Sequence, residues 1–227
     1  MEYKHSYMEA LCRGTLLYNL VNDIKKFNEK NEINIIADLG GRNGSNITLL
    51  NEFGVELKKS YVIDIKPHRL YDEYIYLELD LNKDRLPFND ASVDVVLLIE
   101  VIEHLTNPDF ILIEVKRVLS KGGICIISTP NLAWWPNIFL LLTGHQPLFT
   151  EVSTRKIYGR PGKDILEHLR VFTYVALSEM LRDYRFKIIN YKTSQTSIIP
   201  NWLKPLDMLI SKIVSVWGCN IYAVVKK

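Results

Sequence analysis

The sequence predicts an α/β fold, a doubly wound and mostly parallel sheet with helices on both faces. Two observations predict it. Short apolar runs alternate with amphipathic segments of helical period along most of the chain, the pattern of strands joined by crossover helices. Acidic residues also close these runs, Asp38 before a glycine-rich turn and then Asp64, Asp80 and Glu100, so polar groups collect at one edge of the expected sheet.

From Tyr3 to Phe27 the residues Tyr7, Leu11, Leu17, Leu20, Val21, Ile24 and Phe27 recur at three- and four-residue intervals, an amphipathic helix within an N-terminal helical segment, 1–30. Ile33 to Asp38 is the first strand. Gly40-Gly41-Arg42-Asn43-Gly44 is its turn, and Ser45 is expected to cap a helix through Leu50 and Phe53. Tyr61 to Asp64, Ile75 to Leu79 and Val93 to Ile99 give strands two to four. Phe110 to Leu119 is helical, Gly122-Gly123 reads as its stop, and Ile124 to Ser128 is the fifth strand, running into Thr129-Pro130-Asn131.

Residues 131–170 break this rhythm. They hold Trp134, Trp135, three prolines, three glycines and the basic run Arg155, Lys156, Arg160, Lys163, and read as an insertion placed to cover a substrate. Thr173 caps a helix to about Asp183, Phe186 to Tyr191 is strand six, and Asn220 to Val225 is the last strand. Between those strands, within 200–218, Leu206, Leu209, Ile210, Ile213, Val214 and Trp217 share one helical face. That face is expected to pack on the sheet; its alternative is a membrane interface, with Lys204 and Lys212 on the polar side. The whole chain, 1–227, reads as one domain.

Composition narrows the function classes. Lys plus Arg number 28 against 26 Asp plus Glu, so whole-chain charge predicts no nucleic-acid footprint. The three cysteines, Cys12, Cys125 and Cys219, have no CxxC spacing and suggest neither a zinc knuckle nor a disulfide framework, which fits a reducing, cytoplasmic setting. The first residues form no apolar signal-peptide core, and the longest apolar stretch, Leu132 to Leu142, is broken by Pro136 and too short to span a bilayer.

In a doubly wound sheet, ligands sit beyond the carboxyl ends of the strands. Glycines at the first turn admit a ligand close to the backbone, and an acid at the end of strand two accepts hydrogen bonds from both ribose hydroxyls. Gly40, Gly44 and Asp64 stand in those places. The spacing fails the GxGxxG pyrophosphate fingerprint: position 39 is leucine, 42 arginine and 45 serine. A dehydrogenase Tyr-x-x-x-Lys pair appears only as Tyr222 with Lys226, in a strand pattern that separates the two side chains.

Asp38-Leu39-Gly40-Gly41-Arg42-Asn43-Gly44 resembles the DxGxGxG first motif of the class I S-adenosylmethionine-dependent methyltransferases, with Asp64 at their motif II. Asp80-Leu81 and Leu86-Pro87-Phe88 resemble the motif III region. Glu100-Val101-Ile102-Glu103-His104-Leu105 resembles the segment after strand four in the type 11, ubiquinone-type O-methyltransferase branch, and Ser128-Thr129-Pro130-Asn131 completes a likeness covering about Ile33 to Tyr191. The resemblance implies a Rossmann-like seven-stranded sheet of order 3-2-1-4-5-7-6, last strand antiparallel, and S-adenosyl-L-methionine as cofactor. It further implies that Asp38, Gly40, Gly41 and Gly44 line the methionine half, that Asp64 holds the ribose, that Asp80 and Leu81 address the adenine, and that Glu100 lies beside the sulfonium.

Arg42 departs from the motif, so Gly41 or Gly44 is expected to supply any positive-φ residue. Its side chain reads either as solvent-exposed or as reaching the cofactor carboxylate or an anionic substrate. His104 is the candidate general base, since an unperturbed imidazole titrates near working pH. Glu100, Glu103 and His104, at i, i+3 and i+4, share a face on one helical turn, and in the ubiquinone-type branch the equivalent residues are associated with a divalent cation; the competing reading makes them caps or loop-positioning groups. Trp134 and Trp135, with Phe139 and Phe149, read as an aromatic cover or as the core of an extra helix, and Arg155 and Arg160 as holding an anionic acceptor or as solvated.

The expected acceptor is a small molecule or lipid-like compound, methylated at oxygen; peripheral membrane contact fits such an acceptor. A macromolecular acceptor, RNA or protein, and a non-catalytic cofactor-binding module are the alternatives. Adenine-N6 and cytosine-N4 chemistry are disfavoured because Glu100-Val101-Ile102-Glu103 stands where an Asn/Asp-Pro-Pro-aromatic motif is required, and cytosine-C5 chemistry because no Pro-Cys dipeptide is present.

Overall fold

A computed structural model describes residues 15–162, 165–194 and 199–227, apart from the side chain of Asn201. The part of the N-terminal segment before Thr15, and Lys163 of the basic run, lie outside the described residues.

Strands β1 (Ile33–Leu39), β2 (Leu57–Asp64), β3 (Ile75–Glu78), β4 (Val93–Ile99), β5 (Leu119–Pro130), β6 (Lys187–Ser194) and β7 (Asn220–Lys226) form one sheet of order β3-β2-β1-β4-β5-β7-β6. β1 to β5 pair in parallel, and β7 runs antiparallel to both β5 and β6. This is the expected order and the expected antiparallel last strand.

The central strands read as continuous apolar runs because both of their faces are buried. Ala37 and Leu39 of β1, Val96 and Leu98 of β4, and Cys125 and Ile127 of β5 point into a core shared with helices α3 (Pro108–Val118) and α5 (Tyr174–Asp183). The alternate residues Ile36, Val95, Leu97, Ile124 and Ile126 point into a second core under α1 (Leu16–Asn28) and α2 (Ser45–Glu52). Thr15, Asn107 and Thr173 cap α1, α3 and α5 through side-chain oxygens.

Two local expectations are corrected. Ser45 is the first residue of α2, not its cap: Gly44 holds the N-cap position in left-handed conformation and Asn43 Oδ1 accepts from Ser45 N (3.2 Å). Gly122-Gly123 does not stop α3, which ends at Val118; both glycines lie inside the long β5. A Cβ at Gly123 would come within 2.9 Å of the Asp94 carbonyl oxygen, so the absence of a side chain lets β5 approach β4 beside its irregular pairing at Val93/Val95.

The insertion adds helix α4 (Trp135–Leu142) and a satellite core of Trp134, Phe149, Ile199 and Cys219. The 200–218 stretch forms α6 (Lys204–Ile213) between two single turns, Asn201–Leu203 and Ser215–Trp217. Its orientation reverses the expected packing on the sheet. Asp207 is the buried residue of α6, whereas Leu206, Met208, Leu209 and Ile213 are exposed. The reason is polar: Asp207 Oδ1 accepts hydrogen bonds from the indole nitrogens of Trp134 (3.0 Å) and Trp135 (2.8 Å), and this contact turns the helix.

Asp207→Ala leaves both indole N–H groups without that acceptor and should cost about 2–4 kcal/mol. For a chain of this size the melting temperature should fall by roughly 5–10 °C, read by circular dichroism; an unchanged midpoint would show that the carboxylate does not fasten α6.

Candidate cofactor and acceptor site

Beyond β1 the chain turns at Gly40 (φ 73°) and Gly44 (φ 81°), and Gly40 N donates to Ile63 O (2.7 Å), fastening the turn to the end of β2. A Cβ on Gly40 would overlap the Val101 side chain, so the turn after β1 and the loop after β4 meet where only glycine fits. Gly44 supplies a positive φ as expected. Gly41 does not; its bare Cα leaves room for the Asp38 carboxylate, whose Cγ and Oδ2 would lie 2.5 Å from an added Cβ. Arg42 itself takes the left-handed region (φ 45°), a strain of about 1–3 kcal/mol for a side chain of its size. Two backbone bonds oppose it: Arg42 N donates to Asp64 Oδ2 (3.1 Å), and Arg42 O accepts from His68 N (2.8 Å). The Arg42 side chain is exposed.

Asp38 is fully buried, and Asn46 Nδ2 donates to its two oxygens at 3.2 and 3.3 Å. Burial pushes its pKa up to about 7, against the bond from Asn46 and with the charge of Asp64 adding to the rise. Asp64, at the end of β2, also accepts from Lys66 N (3.1 Å). Asp80 closes a turn: Oδ1 accepts from the backbone N and Nδ2 of Asn82, both at 3.0 Å, and Lys83 lies 3.3 Å from Oδ2. The Asn82 bonds, backbone first, hold its carboxyl below the usual range. The Leu81 side chain is buried in the main core.

Glu100 follows β4 with a second strained φ, 54°. Its Oε1 accepts from Ser128 Oγ and its Oε2 from Asn220 Nδ2, each at 2.7 Å, and burial raises its pKa. Glu103, in the short turn Ile102–His104, is buried to 1 % exposure. Oε2 accepts from Thr129 Oγ1 (3.0 Å), while Oε1 has no hydrogen-bond partner and lies 3.9 Å from His104 Nε2. Burial, with the charge of Glu100, lifts its pKa to about 8.

His104 Nδ1 lies 3.2 Å from the Glu167 carbonyl oxygen, which selects the tautomer that donates from Nδ1 and leaves a lone pair on Nε2. The His168 ring packs edge-on against it at 4.9 Å, and burial lowers the His168 pKa. Both histidines line a cleft of about 710 Å³ walled by Glu151 to Arg155 and Ile165 to Leu169. The insertion therefore forms one side of the cleft and the β4 end the other.

The other sequence candidates separate. Arg155 lines the cleft, whereas Arg160 is withdrawn into an ion pair with Glu151 (3.0 Å) and Lys156 sits over the Tyr158 ring, so the basic run is not one patch. Trp134 is wholly buried and stacked on Phe149 (5.6 Å), the core-packing alternative; Trp135 is held through Asp207, and Phe139 is exposed. His168, Asn46 and Asn220 were not singled out by sequence. His168 and Asn220 act across long stretches of chain, Asn46 reaches Asp38 from eight residues on, and only Ser128, partner of Glu100, lies in a quoted motif.

Glu103 generates a pH prediction. The folded protein keeps a proton on this carboxyl that the unfolded chain releases above about pH 4.5, so stability falls as pH rises from about 4.5 to about 8. Glu103→Gln should melt about 2–6 °C above the parent at pH 8.5 and much closer to it at pH 5; equal gains at both pH values would contradict a buried neutral acid.

A family model described as a methyltransferase domain matches residues 37–127, from β1 into β5. A probable S-adenosylmethionine-dependent methyltransferase of Mycolicibacterium smegmatis is 50% identical over 50 residues, 22% of this chain and 20% of that protein, so the match spans about a fifth of the relative's length. The malonyl-[acyl-carrier protein] O-methyltransferase of a Marinomonas species is 23% identical over 240 residues, 98% of this chain and 80% of the relative. The crystal structure of a SAM dependent methyltransferase from Archaeoglobus fulgidus shares the fold, with a TM-score of 0.58 at 13% identity over 93% of this chain and 94% of that one. Motif run, strand order and matched domain agree: residues 37–127 match a methyltransferase domain within a Rossmann-like seven-stranded fold, and S-adenosyl-L-methionine is the cofactor this likeness supports.

Proposed function

We propose that the chain methylates an oxygen of a small-molecule or lipid-like acceptor that enters the cleft between His104 and the insertion. The observation that carries this reading is the orientation of His104, whose Nδ1 is engaged by the Glu167 carbonyl while Nε2 keeps its lone pair in a cleft of small-molecule size. The printed name of the malonyl-[acyl-carrier protein] O-methyltransferase relative supports oxygen as the acceptor atom.

S-adenosylmethionine, when bound, supplies a methyl group already activated on a sulfonium. What remains for the protein is alignment, worth about 7–11 kcal/mol in favourable cases, and a place for the acceptor's proton. Asp38 with Gly40, Gly41 and Gly44 would hold the methionine half, Asp64 the ribose and the Asp80-Leu81 turn the adenine, and Glu100 would stand beside the sulfonium. His104 Nε2 would accept the proton of the acceptor hydroxyl as its oxygen is methylated.

A divalent cation is the second reading of the same corner. Glu103, His104 and His168 each bring one ligand atom within 4.8 Å of the others, and Glu103 Oε1 is a buried oxygen without a partner. In this set Glu100 is replaced by His168, because the Glu100 oxygens are taken by Ser128 and Asn220. Chelator dialysis separates the readings: turnover that persists supports His104 alone, and turnover lost and restored by added cation supports the three-ligand set.

Asp64→Ala should weaken S-adenosylhomocysteine binding by about 1.5–3 kcal/mol in calorimetry without changing the circular dichroism spectrum. Because Asp38 titrates near pH 7 in the free protein and faces the cationic ammonium when the product binds, binding at pH 6.5 should release a proton, measured as a dependence of heat on buffer ionisation enthalpy. Heat independent of buffer would remove Asp38 from the ammonium. His104→Ala should slow transfer of labelled methyl into extract by about 10²–10⁴ while leaving product affinity intact; label appearing in RNA or protein and not in the small-molecule or lipid fraction would overturn the acceptor class.

A further inference from the structure

We propose that the exposed apolar face of α6, together with α4, docks on an anionic lipid surface. Asp207 is buried against the two indoles, and on a helix this leaves Leu206, Leu209 and Ile213 on the opposite side, with Trp202 in the turn just before; Trp202 and Ile213 are 77 % and 73 % exposed. On the neighbouring α4, Phe139, Leu141 and Leu142 are exposed as well, Leu142 to 80 %. Large apolar side chains gathered on two elements tied through one carboxylate exceed the scattered exposure normal for a soluble surface.

Charge selects the occupant. From Asn131 to Thr150 there is no Asp, Glu, Lys or Arg, and between Pro200 and Trp217 the charged residues are Lys204, Asp207 and Lys212. The acid is turned inward, so what the two helices show to solvent is apolar surface with lysines only. Anionic headgroups complement that face, while a second copy docked on the same face by two-fold symmetry would oppose lysine to lysine. The ten-residue α6 rises only about 15 Å, and no described helix is long and apolar enough to cross a bilayer, so the geometry is that of a helix lying in the interface, with Trp202 at headgroup level.

The surface connects to the cleft. Trp134 stacks on Phe149, the Phe149 carbonyl oxygen lies 3.1 Å from His168 Nδ1, and the His168 ring abuts His104. The packed side chains of Trp134, Phe149 and His168 thus link the docking helices to the proposed acceptor cleft. This last step deepens the proposed acceptor class; the docking itself does not depend on it.

The full chain is mixed with vesicles of phosphatidylcholine alone or with about 30 % phosphatidylglycerol, then sedimented, and tryptophan emission is recorded. The expected result is co-sedimentation with the anionic vesicles, weakened by salt, and a blue shift that Trp202→Phe reduces. Leu209→Ser with Ile213→Ser should lower the bound fraction at least roughly tenfold while S-adenosylhomocysteine affinity, read by calorimetry, stays at the parental value. Absence of binding to both vesicles, parental binding by the double variant, or a parental dimer that the double variant converts to monomer would overturn the proposal. Retained S-adenosylhomocysteine binding in those cases leaves the methyltransferase reading intact, so the two failures are distinct.

Discussion

The structure turns on the withdrawal of negative charge from water at one edge of the sheet. Asp38, Glu100 and Glu103 lie within the reach of two adjacent strand ends, and the side chains that partner them are neutral or, for Glu103, a histidine 3.9 Å away. No ion pair among the described residues joins Lys or Arg to any of the three. Their pKa values rise accordingly. An edge so built, acidic and with no Lys or Arg paired to these three groups, suits a ligand that carries positive charge. Structural acids elsewhere show the contrast: Glu114 pairs with Arg117 at 2.7 Å, which holds its carboxyl below the usual range.

Two of the strained backbone positions lie at the same edge. Arg42 and Glu100, both left-handed without being glycine, belong to the turn after β1 and the residue after β4, and Gly40 is pressed against Val101 between them. Such conformations persist only where surrounding contacts over-determine them. The bonds from Arg42 to Asp64 and His68, and from Glu100 N to Ser128 O (3.1 Å), do this. Preorganisation of the cofactor edge is therefore bought with local strain and desolvated acid, and the two cores on either side of the sheet supply the rigidity.

The sheet was legible in the sequence because its signals are local. Runs such as Val93 to Ile99 carry their burial in their own composition, and the acids at 38, 64, 80 and 100 mark strand ends without reference to the rest of the chain. Failures fall where a distant group decides. Gly122-Gly123 has the composition of a helix stop, yet it serves the approach of β5 to Asp94 in β4. The apolar stripe of α6 reads as a buried face until Trp134 and Trp135, about seventy residues earlier, claim Asp207. Arg160 looks like one member of a basic patch until Glu151 removes it. His168 has no local motif at all; it reaches His104 only because Leu169 N and Arg170 N donate to the Glu103 carbonyl oxygen at 2.8 and 2.9 Å and draw the insertion back over the β4 end.

That last contact divides the labour of the molecule. The matched domain, residues 37–127, ends in β5, and the candidate cofactor residues from Asp38 to Glu100 lie within it, whereas Ser128 and Asn220, the partners of Glu100, lie outside. The insertion begins a few residues later and contributes the far wall of the cleft, its second histidine, the carbonyl that sets the His104 tautomer, and the helix that carries apolar surface outward. A fold shared at 13% identity leaves the acceptor undetermined. Residues 131–170, where the chain departs from the strand–helix rhythm, and the α6 face that Asp207 turns to solvent are accordingly where the proposed acceptor class is tested.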